Sequence, residues 1–354
     1  MSRRMATTLM AFAAAHARRP PARVGFASAA AARRPARRTL AAAAHASPAL
    51  EIPELGAAMR AVQHAGALCA RVQASLAATA ATGEELSGFT KPDASVVTVA
   101  DFACQAAVTH LLGSSFPDIV MVAEEDADTL RDDPAAAAAV ADAVNACLAA
   151  ADADAAALTV DEVLAAIDRG GREDGIGAKH WVLDPIDGTK GFVNSRQYAI
   201  ALALVDETGG VVHGVLGCPN LPAESVRGRP CAGDAAEVES PGVLVAASRG
   251  AGCFVASLGA ADVVGAAVAV PPPPPRARSE LTYMESYGDS IVAAHGVTRA
   301  VAVAAGIDNA PIPLDSQAKY AAIARGDADV YVTAPAAAAA ETTTPLGLET
   351  LVRE

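Results

Sequence analysis

Apolar positions in residues 55–80 ("LGAAMRAVQHAGALCARVQASLAATA") recur at helical spacing among strong helix formers, which predicts a long helix. "SVVTVAD" (95–101) is β-branched and predicts a strand ending on Asp101, after which "FACQAAVTHLLGSSF" returns to helical spacing. "DIVMVAEED" (118–126) predicts a short buried strand that stops on acids. Residues 134–157 are rich in Ala and Asp and low in complexity, the pattern of a solvated helix or a loop insertion. In "TVDEVLAAIDRG" (159–170), Thr159 stands three residues before Glu162 and a glycine closes the run, which predicts a helix with a capping box and a glycine stop.

"HWVLD" predicts a strand, and so do "YAIALALVD" (198–206) and "VVHGVLGCP" (211–219), the last two joined as a hairpin through "ETGG". Five consecutive prolines at 271–275 fit neither a helix interior nor a strand interior and mark a surface loop. "GVTRAVAVAAG" predicts a helix, and "LDSQAKYAAIARGDADVYV" reads as strand end, helix and strand. Strands and helices mixed in this way, without regular βαβ alternation, predict an α+β layered fold.

The chain has 354 residues and about half are apolar, enough for two domains of ordinary size or one large one with a buried core. The expected division is 51–240 and 241–354. Residues 1–50 hold nine of the Arg and no acid, leaving 18 basic residues against 40 acidic ones in the remainder. So acidic a body is a poor match for a nucleic-acid backbone, and no nucleic-acid partner is expected. The first 50 residues have the composition of an organellar transit peptide; "TLMAFAAAHA" alone would suit a secretory signal, but the repeated Arg pairs argue against one. No apolar run approaches the roughly 20 residues of a membrane span. The six cysteines are scattered without a CxxC pair and read as reduced structural thiols.

Three predicted strands end on acids: Asp101, Glu124 with Glu125, and Asp184 with Asp187. Each has an ordinary explanation alone: a helix N-cap, a solvated turn, and Asp-Pro-x-Asp-Gly turn chemistry. Together they suit a hard divalent cation, since magnesium takes a few carboxylates and substrate phosphate while keeping several waters. In "DPIDGT", Pro185 restricts the backbone so that two carboxylates and the Ile186 carbonyl face one point. Gly188 then allows a sharp turn into a segment whose N–H groups can meet an anion.

"WVLDPIDGTKGF" (181–192) resembles the signature of the inositol monophosphatase-like superfamily of magnesium-dependent, lithium-sensitive phosphatases. "VVTVADFACQ", "VAEEDA", "VLAAIDRG", "GVLGCPNLP" and "LDSQAKYAAIARGDADVY" are similar to its 3'(2'),5'-bisphosphate nucleotidase branch, which converts 3'-phosphoadenosine 5'-phosphate to AMP and phosphate. The resemblance implies a layered α/β/α/β sandwich. It implies that Glu124, Asp184 and the Ile186 carbonyl hold one magnesium, and that Asp184 and Asp187 share in a second. It implies that Asp101 and Thr189 orient and deprotonate the attacking water, that the Gly188 and Thr189 backbone binds the scissile phosphate, and that Ser316 and Lys319 contact the nucleotide. A plastid is the expected organelle, because branch members there clear a by-product of sulfation. The same metal core would also serve an inositol polyphosphate 1-phosphatase, or a remnant that binds metal and nucleotide without turnover.

The likeness stops at about residue 333. The family's third metal aspartate, in a "WDHAAG"-like motif, has no counterpart in "TAPAAAAAETTTPLGLETLVRE", a family arginine is Thr333 here, and the family's last layers are missing. Because the loss is abrupt, a truncated or misread ending is expected rather than a genuinely weak enzyme.

Overall fold

A computed structural model of the chain describes residues 52–82, 89–90, 96–171, 177–227, 241–286 and 292–333. The expectations for residues 1–50 and for the ending beyond Thr333 lie outside these.

Helix α1 (Pro53–Thr82) opens with proline in its first turn, where no donor is needed. It buries Leu55, Met59, Val62 and Cys69 at helical spacing. The strand expected over 95–101 shrinks to Val96–Val97 (β2), paired antiparallel with Phe89–Thr90 (β1). Thr98 is the reason. Its hydroxyl accepts from the Ala100 N–H (3.2 Å), and Asp101 Oδ2 accepts from the Thr98 N–H (2.8 Å) and hydroxyl (2.7 Å). This capping box starts α2 (Val99–Ser115) and makes Asp101 its third residue instead of a strand end.

After the single turn α3 (Asp128–Arg131) comes α4 (Pro134–Ala151), capped by Asp133, whose carboxylate accepts from the Ala136 N–H (3.0 Å). Of the solvated helix or loop insertion expected here, the helix forms, but one side of it enters the core: Val140, Val144, Cys147 and Leu148 are buried in the main apolar cluster with α1 and α2. Alanine repetition masks that stripe, and alanine's small volume lets neighbouring helices approach. By length and composition α4 alone among the described helices is long and apolar enough to cross a membrane, yet its apolar stripe faces the core. Helix α5 (Val160–Asp168) has the expected capping box, with the Thr159 N–H donating to Glu162 Oε2 (2.8 Å).

These helices cover one face of a seven-stranded sheet of order β3-β4-β5-β6-β7-β8-β9. The strands are β3 (Val120–Ala123), β4 (His180–Asp187), β5 (Ala199–Val205), β6 (Val211–Cys218), β7 (Val243–Ser248), β8 (Gly252–Ser257) and β9 (Val268–Ala269). Only the β3–β4 pair is parallel. β3 lies at an edge and is half-buried, not buried as expected. The β5–β6 hairpin turns on Asp206, which accepts from the Thr208 (3.0 Å) and Gly210 (2.9 Å) amides, with Gly209 at φ +79°.

Leu183, Leu202, Leu204 and Phe254 point to the helices; Ala201, Ala203, Val243 and Val245 point the other way, into a second apolar cluster. Burial on both faces explains why β5 reads as an unbroken apolar run. The second cluster joins the sheet to α8 (Ala318–Ala324) and to a three-stranded parallel sheet. That sheet has β10 (Tyr283–Glu285) between β11 (Ile312–Pro313) and β12 (Val330–Tyr331). Helix α7 (Val292–Ala304) packs beyond it through Ala302. The α/β/α/β layering expected is present, and α7 adds a further helix beyond it. The division expected at residue 240 falls inside the large sheet, because β7, β8 and β9 continue it past that point.

At the far end of this sheet Lys179 pairs with Glu54 (2.7 Å), tying the start of α1 to the strand before the site. Beside them His213 is buried with Nδ1 lacking a hydrogen-bond partner, and desolvation holds its pKa below the ordinary value, against the pull of Glu54. The unfolded chain therefore takes up this proton first, and stability falls as pH drops below about 6.5. His213→Gln is expected to flatten that part of the profile, read as the difference between the two chains in urea unfolding midpoints from pH 7 to 5.

Candidate metal centre

The acids gather where β3 and β4 end beside the first turns of α2. β4 runs three residues past the predicted strand, through "DPID" to Asp187. Asp184 lies opposite Ala201 and Asp187 opposite Ala199, so three steps on β4 match two on β5. This bulge accommodates Pro185, which has no N–H to give a ladder. It leaves Asp184 1% exposed and Asp187 partly exposed.

Two side chains of α2 hold the strand ends together. The Cys104 thiol donates to the Pro185 carbonyl (3.3 Å), which places Asp101, one turn earlier, beside the bulge. Gln105 Nε2 donates to the carbonyls of Glu125 (2.6 Å) and Ile167 (2.9 Å), and its Oε1 accepts from the Glu125 N–H (2.9 Å). Only glycine fits at 170, where an added Cβ would stand 2.7 Å from both Gln105 Nε2 and Ala123 Cβ. Nothing in the sequence pattern marks Gln105 for this role except its i+4 spacing from Asp101.

Gly188 adopts φ +92° and begins α6 (Thr189–Val193), with the Thr189 hydroxyl donating to the Ile186 carbonyl (3.2 Å). From the second layer, the Gln317 N–H donates to Asp187 Oδ2, Ser316 packs against Gly188, and Lys319 lies buried with its charge acting on Asp187. The Lys319 ammonium also sits 5.4 Å from the centre of the Tyr331 ring. Asp101, Asp184, Ile186, Asp187, Gly188, Thr189, Ser316 and Lys319 thus meet in one region, and the field of Glu124 reaches both Asp184 and Asp187. The buried Glu125, read in the sequence as a strand-end acid without a metal role, belongs to the same cluster; Gln317 was not singled out by the sequence, though it adjoins Ser316.

Neither carboxylate oxygen of Asp184 has a hydrogen-bond partner. Burial, then the charges of Asp187, Glu124, Asp101 and Glu125, push its pKa well above the usual carboxylate range. Burial also raises Asp187, though the Gln317 amide and Lys319 oppose the rise. A buried, unpartnered acid among acids is the environment a divalent cation would satisfy, and its all-oxygen donor set suits a hard ion such as magnesium. Among the described residues no three His, Cys, Asp or Glu side chains stand closed into a ready metal cluster. Like charges hold themselves apart, and one oxygen each of Asp101 and Asp187 is engaged by Thr98 and Gln317.

Residues 53–341 match the model of the inositol monophosphatase family. The chain is 37% identical over 287 residues to 3'(2'),5'-bisphosphate nucleotidase 1 of Arabidopsis thaliana, covering 80% of this chain and 77% of that one. It is 40% identical over 284 residues to 3',5'-bisphosphate nucleotidase 2 of the same plant, covering 79% and 77%. It is also 35% identical over 249 residues to the 3'(2'),5'-bisphosphate nucleotidase of Schizosaccharomyces pombe, covering 70% and 67%. The chain belongs to the inositol monophosphatase family.

Asp184→Asn keeps the shape and removes the buried charge. Because the buried acid must either ionise without a partner or hold a proton above its ordinary range, the metal-free variant is expected to gain stability relative to the unaltered chain as pH rises from 4 to 8. Magnesium is expected to raise the thermal midpoint of the unaltered chain and the same change to abolish that rise, both read by calorimetric scans with and without the ion.

Proposed function

We propose that the chain is a magnesium-dependent phosphatase that removes the 3'-phosphate from 3'-phosphoadenosine 5'-phosphate, and from 3'-phosphoadenylyl sulfate, leaving AMP or adenylyl sulfate. The observation that carries this reading is the bare, buried Asp184 carboxylate ringed by acids at a strand end. The bisphosphate nucleotidases among its relatives support the substrate class.

In this reading Glu124, Asp184 and the Ile186 carbonyl hold one magnesium, and Asp184 and Asp187 share a second. Bound magnesium supplies positive charge that neutralises these carboxylates and polarises the phosphoryl oxygens. Asp101 and Thr189 orient the attacking water, and Asp101 takes its proton. The water oxygen bonds to phosphorus as the P–O3' bond breaks, and the electron pair leaves on the 3'-oxygen, which is then protonated. The backbone of Gly188 and Thr189 meets the scissile phosphate. Ser316 and Lys319, brought to the Asp187 side by the Gln317 hydrogen bond, contact the nucleotide.

A second reading is a protein that binds one metal ion and nucleotide without turnover; the lack of a ready three-acid cluster among the described residues favours it. Phosphate release at graded magnesium separates the readings. Release from 3'-phosphoadenosine 5'-phosphate is expected, faster than from inositol 1,4-bisphosphate, and suppressed by lithium. A faster inositol ester would reverse the choice of substrate. No release at millimolar magnesium, with a single metal site by calorimetry, would establish the binding protein. Asp101→Asn is expected to lower kcat by about 10²- to 10⁴-fold, the range for a lost general base. Thr98→Ala, which removes the helix cap and one of the two Thr98 hydrogen bonds to Asp101 Oδ2, is expected to cost about 1 kcal/mol of stability and to lower kcat less than Asp101→Asn does.

A further inference from the structure

α6 is five residues long, too short to persist without outside support. Its first residue, Thr189, bonds the Ile186 carbonyl, so the orientation of α6 sets the hydroxyl beside the acid bulge. What holds its other end is a buried amide network centred on α1.

Gln73 is 6% exposed and lies near the last third of that long helix. Its Nε2 donates to the Phe192 carbonyl in α6 (2.8 Å), and its Oε1 accepts from Asn220 Nδ2 (3.0 Å). Asn220 Nδ2 donates onward to the Arg196 carbonyl (2.7 Å), and the Asn220 carbonyl accepts from Gln197 Nε2. The segment these bonds fix, 194–197, folds back along α6: the Arg196 N–H donates to the Gly191 carbonyl (2.7 Å), and Ser195 adopts φ +54°. The Gln197 carbonyl lies so close to α6 that a Cβ at Gly191 would be 2.3 Å from it. Phe192 and Tyr198 complete the packing edge to face, with ring centres 4.9 Å apart.

From this network we infer that Gln73 is a positioning residue for the phosphatase site: it locks α6, and through α6 it fixes Thr189 against the DPID bulge. The inference rests on the phosphatase reading for its kinetic consequence, while the network itself is independent of that reading. A glutamine suits the gap because its one planar amide both donates to the Phe192 carbonyl and accepts from Asn220. An apolar residue of similar size would leave both Phe192 O and the Asn220 amide short of a buried partner.

Gln63 supplies the control. It lies on the same helix, and its Nε2 likewise donates to two carbonyls, those of Leu258 (3.1 Å) and Ala260 (2.6 Å), with no link to α6. The experiment compares Gln73→Leu, Asn220→Ser and Gln63→Leu with the unaltered chain by hydrogen exchange and by steady-state hydrolysis of 3'-phosphoadenosine 5'-phosphate. Gln73→Leu and Asn220→Ser are each expected to speed exchange at the Asn194, Ser195 and Arg196 amides and to lower kcat by about 10- to 100-fold, the scale of lost support behind a metal site. KM is expected to move far less. Gln63→Leu is expected to lose thermal stability without either effect. Unchanged exchange at those amides, or a kcat loss matched by Gln63→Leu, would overturn the inference. Should Gln73→Leu fail to fold, Asn220→Ser decides the matter by the same two readouts. An unaltered chain that releases no phosphate removes the phosphatase reading and the kinetic role with it, while exchange still decides whether Gln73 holds α6.

Discussion

A carboxylate buried without a hydrogen-bond partner is costly, and Asp184 is in that position with four other acids acting on it. In an apolar medium such a charge is kept only where something cationic offsets it, or else it picks up a proton. The surroundings serve to maintain this unfavourable arrangement. Trp181, Leu183 and Ile186 on the same strand are buried, so β4 is anchored in the core and cannot swing its aspartate out to water. The stability of the seven-stranded sheet sustains the strain at its end.

Helix α2 keeps the other acids near. Its capping box fixes Asp101 through Thr98, while Cys104 and Gln105 bind the strand ends carrying Asp184 and Glu125. Burial of Ala100 through Thr109 makes α2 a rigid member of the core, so these contacts transmit its position without slack. The ordinary explanation for Asp101, helix capping, and its catalytic assignment are therefore compatible. The same carboxylate that closes the capping box is presented to the bulge by the helix it starts.

Much of this was legible in the sequence, and the failures share a physical cause. The capping box at Thr159 and the hairpin at Asp206 are local devices and appear where the residues predict them. The strand expected over 95–101 gave way because Val96 to Asp101 fits both a β-branched run and a Thr-x-x-Asp helix start, and only packing against β4 decides between them. Within residues 134–157, read as a solvated helix or a loop insertion, the buried stripe of the helix was missed because repeated alanine hides which face is buried. At the site, the acids stood out by type and spacing. The groups that hold them, the Gln105 side chain and the Gln317 backbone N–H, belong to ordinary polar residues whose partners lie far away in the chain. Distant pairing of that kind leaves no local trace.

One strained contact between the large sheet and α8 reaches the acids directly. Ser316 occupies the left-handed region at φ +59°, a conformation that disfavours residues with a Cβ. Its hydroxyl accepts from the Ala318 N–H (3.1 Å), and the Gln317 N–H next to it donates to Asp187. Gly188 faces it without a side chain, since a Cβ there would come within 2.9 Å of Ser316 Cβ. A carboxylate of the bulge is thus the docking point for the start of α8, and Lys319 one turn on sits within its field. Any change in charge around Asp187 must then be felt at Ser316 and Lys319, so the state of the acid cluster and the conformation of the start of α8 are linked by the Gln317 hydrogen bond.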